Sequence, residues 1–155
     1  MKTITKKSVV KEELEECFLV IDTSGLEGFI AEFKARVLDH KVKFPLLEYC
    51  GEVTYDRLPE DEHLYFCDSI EAFKTEGGNV VLGMILQQRL SSHYQESIGK
   101  TVEYISRANE WYVSDIIGER IWGWALLNYP EKTLEVYREL IDHKNKWVVR
   151  SLGAG

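Results

Sequence analysis

The sequence Asn109-Glu-Trp-Tyr-Val recurs in altered form 36 residues later as Asn145-Lys-Trp-Val-Val. Each copy opens a stretch with apolar residues at helical spacing, so the pair predicts two successive helices with a common start. Asn109 and Asn145 read as N-cap residues, accepting a hydrogen bond from a backbone N–H that has no partner inside its helix. Trp111 and Trp147 then fall in equivalent first turns. A period of this length lies between those of tetratricopeptide units and of HEAT or armadillo units.

The rest of the chain carries the same rhythm. LEGFIAEFKARVLDH places Leu26, Phe29, Ile30, Phe33, Val37 and Leu38 on one helical stripe. FPLLEYCGEVTYDRL follows, then PEDEHLYFCDSIEAFK, whose Pro59 and acidic run Glu60-Asp61-Glu62 suit a helix N-terminus better than a metal site. GGNVVLGMILQQRL precedes YQESIGKTVEYISRA, striped by Ile98, Val102 and Ile105. NEWYVSDIIGERIWGWALL precedes PEKTLEVYRELIDH, striped by Leu134, Tyr137, Leu140 and Ile141.

The first helix of each pair is apolar over more than one face, and the second is amphipathic. Stacked helical hairpins require that alternation, because the first helix is sandwiched between neighbours while the second lies outside. Alternation with a period of two is absent beyond a few residues, which leaves strands without support. The expected fold is all-α: a right-handed α-α superhelix, or solenoid, of HEAT-like antiparallel helix pairs over residues 1–155. Residues 1–25 read either as a capping helix or as an arm.

The tetratricopeptide pattern of Trp, Leu-Gly, Tyr and Ala is missing, which points to the irregular HEAT-like class. Gly77-Gly78-Asn79 reads as a turn followed by a helix cap, since GGNVVLG has neither Rossmann nor Walker spacing. Gly118 and Gly123 suit close helix approach. Trp122 and Trp124, two apart on a helix, point roughly 160–200° apart and form no single stacking platform. Core or inter-repeat packing is the better reading of both.

The net charge of −7 argues against a nucleic-acid partner until its distribution is considered. Residues 1–76 hold 17 acids and 10 bases, whereas residues 77–155 hold 9 of each, so the second half can present a local basic face. Cys17, Cys50 and Cys67 match no zinc or redox spacing and read as buried, reduced thiols. The four histidines are scattered, and His143, near a helix end, suits contact with terminal carbonyls. No metal or other cofactor is expected. MKTITKKSVVKEELEE lacks the apolar core of a signal peptide and no run reaches a membrane span, so a cytoplasmic protein without membrane association is the expectation.

Trp111-x-x-x-Asp115, followed 35 residues later by Arg150 within NKWVVRS, resembles the DNA alkylation repair family of HEAT-like repeat proteins, the AlkC and AlkD type of alkylpurine DNA glycosylase. The specific part of the resemblance is Trp111, Asp115, Trp147 and Arg150; general helix order extends it over Phe44 to Gly155. It implies a concave solenoid that grips duplex DNA and hydrolyses the glycosidic bond of a cationic alkylated purine.

Under the resemblance, Trp111 would face the cationic base, since an indole face stabilises a nearby cation by about 0.5–2 kcal/mol. Asp115, one turn further on the same helix face, would stabilise the oxocarbenium-like sugar and orient the attacking water. Arg150 would hold the phosphate beside the lesion, with Trp147 at the same DNA-binding face and Lys144 and Lys146 adding phosphate contacts.

The residues themselves support a second reading just as well, in which Asp115 and Arg150 form an ion pair between adjacent repeats. The family fold continues for further repeats after the Arg, with another aromatic enclosing the lesion, whereas this chain stops at RSLGAG. The N-terminal part of a longer solenoid is therefore expected, with self-association through an open C-terminal end in the isolated chain. The alternative function is a non-enzymatic helical-repeat scaffold that binds protein partners through its acidic first half, or binds DNA without cutting it.

Overall fold

A computed structural model describes residues 1–154. Nine α-helices account for most of them: α1 Lys7–Leu19, α2 Ile21–Phe33, α3 Phe44–Arg57, α4 His63–Ala72, α5 Glu76–Arg89, α6 Tyr94–Ala108, α7 Trp111–Asn128, α8 Pro130–Leu140 and α9 Lys146–Ala154. A π-helical segment, Lys34–Leu38, extends α2, and a 3-10 turn, Glu60–Glu62, leads into α4. The extended structure among the described residues is a two-residue parallel pair, β1 Thr3–Ile4 with β2 Lys41–Val42, in the register Thr3 to Lys41 and Ile4 to Val42. The protein is thus an all-α, multi-helix assembly with stacked helix contacts, as the periodicity predicts.

Two compact units divide the chain, Met1–Val81 and Leu82–Gly155, with the boundary inside α5. In the first unit an aromatic cluster forms the core: the Phe18 ring lies 4.7 Å from Phe29, and Phe66 lies 5.5 Å from Phe29 and 5.3 Å from Phe33. These side chains come from α1, α2 and α4, and each has little or no contact with solvent. The stripe read from Leu26 onward is real at Phe29, Ile30, Phe33, Val37 and Leu38. Gly25, at φ +65°, interrupts the helical backbone of α2 upstream of it. Residues 7–19 form a packed helix that buries Val10, Leu14, Cys17 and Phe18. All three cysteines are buried thiols outside any disulfide, and burial pushes those of Cys17 and Cys50 up to about 12.

The second unit is built around α7, which packs on α6, α8 and α9. Trp122, Ile117, Ile121 and Ala125 are fully buried, joined by Tyr104 and Ile105 from α6 and Val148 from α9. A large aliphatic side chain buried this completely stabilises the fold by about 1.5–3 kcal/mol. Gly118 permits the close approach of α9, since a Cβ there would meet the Ser151 backbone oxygen at 2.8 Å.

Several local expectations fail for identifiable reasons. Asn109 is no N-cap: it stands in the left-handed region at φ 52°, ψ 43°, and closes α6 by donating its N–H to Ile105 O. Asn tolerates that conformation better than other residues with a Cβ, and this is its role here. Thr75, before Gly77-Gly78-Asn79, is the residue that caps α5, its Oγ1 accepting from Gly78 N at 2.9 Å. Trp124 is 43% exposed, so only Trp122 of that pair is core.

On α8 the buried positions are Thr133 and Val136, while Leu134 and Ile141 of the expected stripe are exposed. Thr133 can be buried because its hydroxyl bonds both Tyr94 Oη at 2.7 Å and Ala125 O at 3.1 Å. Among the described residues the His143 ring meets no terminal carbonyl; its Nδ1 instead accepts the Asn145 N–H at 3.0 Å.

Candidate functional site

The site is assembled where α9 crosses the start of α7. Asn145 acts as the expected N-cap of α9, its Oδ1 accepting from Trp147 N at 2.9 Å and Val148 N at 3.3 Å. One turn into α7, Ser114 Oγ donates to the Trp147 carbonyl at 2.6 Å. Deeper in the interface, Trp122 Nε1 donates to Ser151 Oγ at 3.0 Å, and Ser151 Oγ donates to Val148 O at 2.6 Å. These bonds fix the axial position of α9 against α7, and with it the level at which Asp115 and Arg150 face each other.

They face each other directly. Arg150 Nε donates to Asp115 Oδ1 and Nη2 to Oδ2, each at 2.9 Å, in a bidentate pair. The Asp115 side chain is 28% exposed and that of Arg150 49%. Hydrogen bonding to Arg150, reinforced by its charge and opposed by desolvation, holds the Asp115 carboxyl below the ordinary carboxylate value. The same bonds raise the Arg150 guanidinium above its usual value.

Both tryptophans flank the pair. The Arg150 guanidinium carbon lies 5.8 Å from the ring centroid of Trp111 and 5.8 Å from that of Trp147. Trp111 is exposed and its ring meets Tyr112 edge-on at 6.0 Å; Trp147 is half-buried. Lys146 joins the group with Nζ 4.7 Å from the Trp147 centroid. Lys144 is exposed in the turn before α9. Trp111, Asp115, Trp147, Arg150 and Lys146 therefore form one constellation, with Lys144 beside the N-terminus of α9.

A shallow surface depression of about 370 Å³ adjoins the pair, lined by Asp115, Glu119, Arg150, Gly153 and Ala154. Glu119 carries no sequence signal beyond its place four residues after Asp115, which puts it on the same helix face. Ser114 and Ser151, which position α9, carry no sequence signal beyond being small and polar.

Chemically, the arrangement offers a carboxylate held in its charged form, a guanidinium with N–H donors beyond those given to Asp115, and two indole faces. Among the described residues no group of three or more His, Cys, Asp or Glu side chains is placed to hold a metal ion, and no helix is long and apolar enough to cross a membrane. Set against family models, curated proteins and solved structures, the chain matches none of them.

Proposed function

We propose that this face of the second unit binds duplex DNA carrying an N-alkylated purine and hydrolyses its N-glycosidic bond, within a HEAT-like right-handed superhelix of helix pairs. The observation that carries the reading is the convergence of the four residues of the family resemblance: Arg150 is bonded to Asp115 through two hydrogen bonds and lies equally far from the Trp111 and Trp147 rings.

The chemistry fits what is assembled. N-alkylation makes the base cationic, and breaking the glycosidic bond places positive charge on the sugar. Ionised Asp115 stabilises that charge and orients the attacking water, and the exposed Trp111 face attracts the base. Arg150 keeps N–H donors for a backbone phosphate while it anchors Asp115, and Lys144 and Lys146 extend the cationic surface along the strand. Asp115 need not be protonated for this role, which agrees with a carboxyl held in its charged form.

Binding tests the reading first. Affinity for duplex DNA should be measurable at low salt and fall steeply as salt rises, and Arg150→Ala, Lys144→Ala and Lys146→Ala should each flatten that dependence. Absence of duplex affinity at low salt would remove it.

A second reading, a scaffold that binds a protein partner, draws on a different observation: Leu127 is 79% exposed and Ile141 57% exposed, apolar side chains that a protein partner would cover and a DNA backbone would not. Loss of a captured protein partner on Leu127→Glu, with no duplex affinity in the parent chain, would favour it.

A further inference from the structure

We propose that the first unit binds a small organic monoanion with an apolar body, of the alkyl carboxylate class, in a cleft between the β1–β2 pair and the starts of α3 and α5. The unit is acidic as a whole, yet residues 1–11 and 40–47 contain no Asp or Glu and hold Lys2, Lys6, Lys7, Lys11, Lys41 and Lys43, six of the ten bases of residues 1–76. Pairing of β1 with β2 sets these two stretches side by side, with Lys41 N donating to Lys2 O at 3.0 Å and Lys43 N to Ile4 O at 3.4 Å. The fold thus gathers the positive charge of an acidic unit in one place, where it attracts anions.

A cleft of about 430 Å³ opens there. Its apolar lining comes from Leu38, Val42, Phe44 and Leu47, and Phe44 is 38% exposed. Gly77, at the start of α5, keeps the cleft open: a Cβ at this position would meet both Leu47 methyl groups at 3.4 Å and Leu38 Cδ2 at 3.6 Å. A side chain here would lie over the methyl groups that the glycine leaves uncovered.

The polar lining includes Lys41, Lys43, His40 and Glu76. Among the described residues neither Lys41 nor Lys43 forms an ion pair within the protein. The His40 ring accepts the Lys2 backbone N–H at Nδ1, 3.1 Å away, so the neutral ring carries its proton on Nε2 and adds one N–H donor. Glu76 offsets one of the two lysines and leaves a single positive charge. That balance suits a carboxylate and under-compensates a phosphate dianion, and the apolar lining suits a hydrocarbon chain or ring.

Isothermal titration calorimetry of the full chain tests this with three probes: octanoate, 1-octanol, which has the chain without the charge, and inorganic phosphate, which has charge without the chain. Octanoate should bind most tightly. Replacing both lysines, Lys41→Gln with Lys43→Gln, should weaken octanoate by about tenfold and leave 1-octanol unchanged. Gly77→Ala should weaken both several-fold by covering the leucine methyl groups. Absence of octanoate binding, phosphate bound as tightly as octanoate, or octanoate affinity unchanged in either variant would overturn the proposal.

Discussion

The indole N–H of Trp122 donates to Ser151 Oγ at 3.0 Å, with both side chains fully buried. This bond joins α7 to α9 one residue beyond Arg150, so whatever disturbs it also moves the guanidinium relative to Asp115. Ser151→Ala should leave the Trp122 N–H buried without a partner and cost about 1–3 kcal/mol, measured by urea denaturation.

Two glycines should respond in opposite directions to the same substitution. Gly118→Ala adds a methyl 2.8 Å from the Ser151 backbone oxygen, so α9 must shift. Despite a gain of about 1 kcal/mol in helix propensity, the overpacking should leave a net destabilisation of about 1–3 kcal/mol. Gly99, within α6, has nothing within 4 Å of such a methyl, and Gly99→Ala should stabilise by about 0.5–1 kcal/mol. Thermal denaturation of the two variants checks both signs.

Asn109 and Asn145 should separate just as clearly. Asn145→Ala removes the acceptor for two backbone N–H groups and should cost about 0.5–2 kcal/mol. Asn109→Gly should be tolerated or mildly stabilising, because the position requires a left-handed backbone rather than a side-chain acceptor. If Asn109→Gly were as costly as Asn145→Ala, the capping assignments would be wrong.

Acid should weaken the α7–α9 contact through Asp115. Its folded-state carboxyl lies below its unfolded value, so the stability it contributes is fully present above the unfolded value and is lost as pH falls through the folded one. The stability difference between wild type and Asp115→Asn should therefore be largest near neutral pH and shrink progressively in acid. A difference independent of pH would show that the pair does not couple to folding.

Much of the fold is legible in the sequence because helical periodicity is strong from Phe29 to Leu38 and again through α6, and because α7 is long and apolar on more than one face, as a helix sandwiched between neighbours must be. The capping of α9 by Asn145 is legible too, as is the close approach at Gly118. What is not legible follows from residues that suit two environments. Asn fits both an N-cap and a left-handed helix end, so two similar pentapeptides take different roles at Asn109 and Asn145. Thr133 is polar by composition yet lies in the core with its hydroxyl satisfied, which turns the apolar Leu134 and Ile141 outward.

For Trp122 and Trp124, spacing shows that they diverge but not which one the core takes. At the site, the residue types and spacing leave Asp115 and Arg150 open to two roles. The structure contains the ion pair, and the chemical role remains the proposal made above. Glu119 lies one turn from Asp115, but only the depression opposite Gly153 and Ala154 draws attention to it.

The most direct measurement is release of an N-alkylated purine from alkylated duplex DNA by the wild-type chain and by Asp115→Asn. Release by wild type, reduced by about 100-fold or more in the variant, is the expected result. No release by wild type, or equal rates from the two proteins, would contradict a glycosylase built on Asp115.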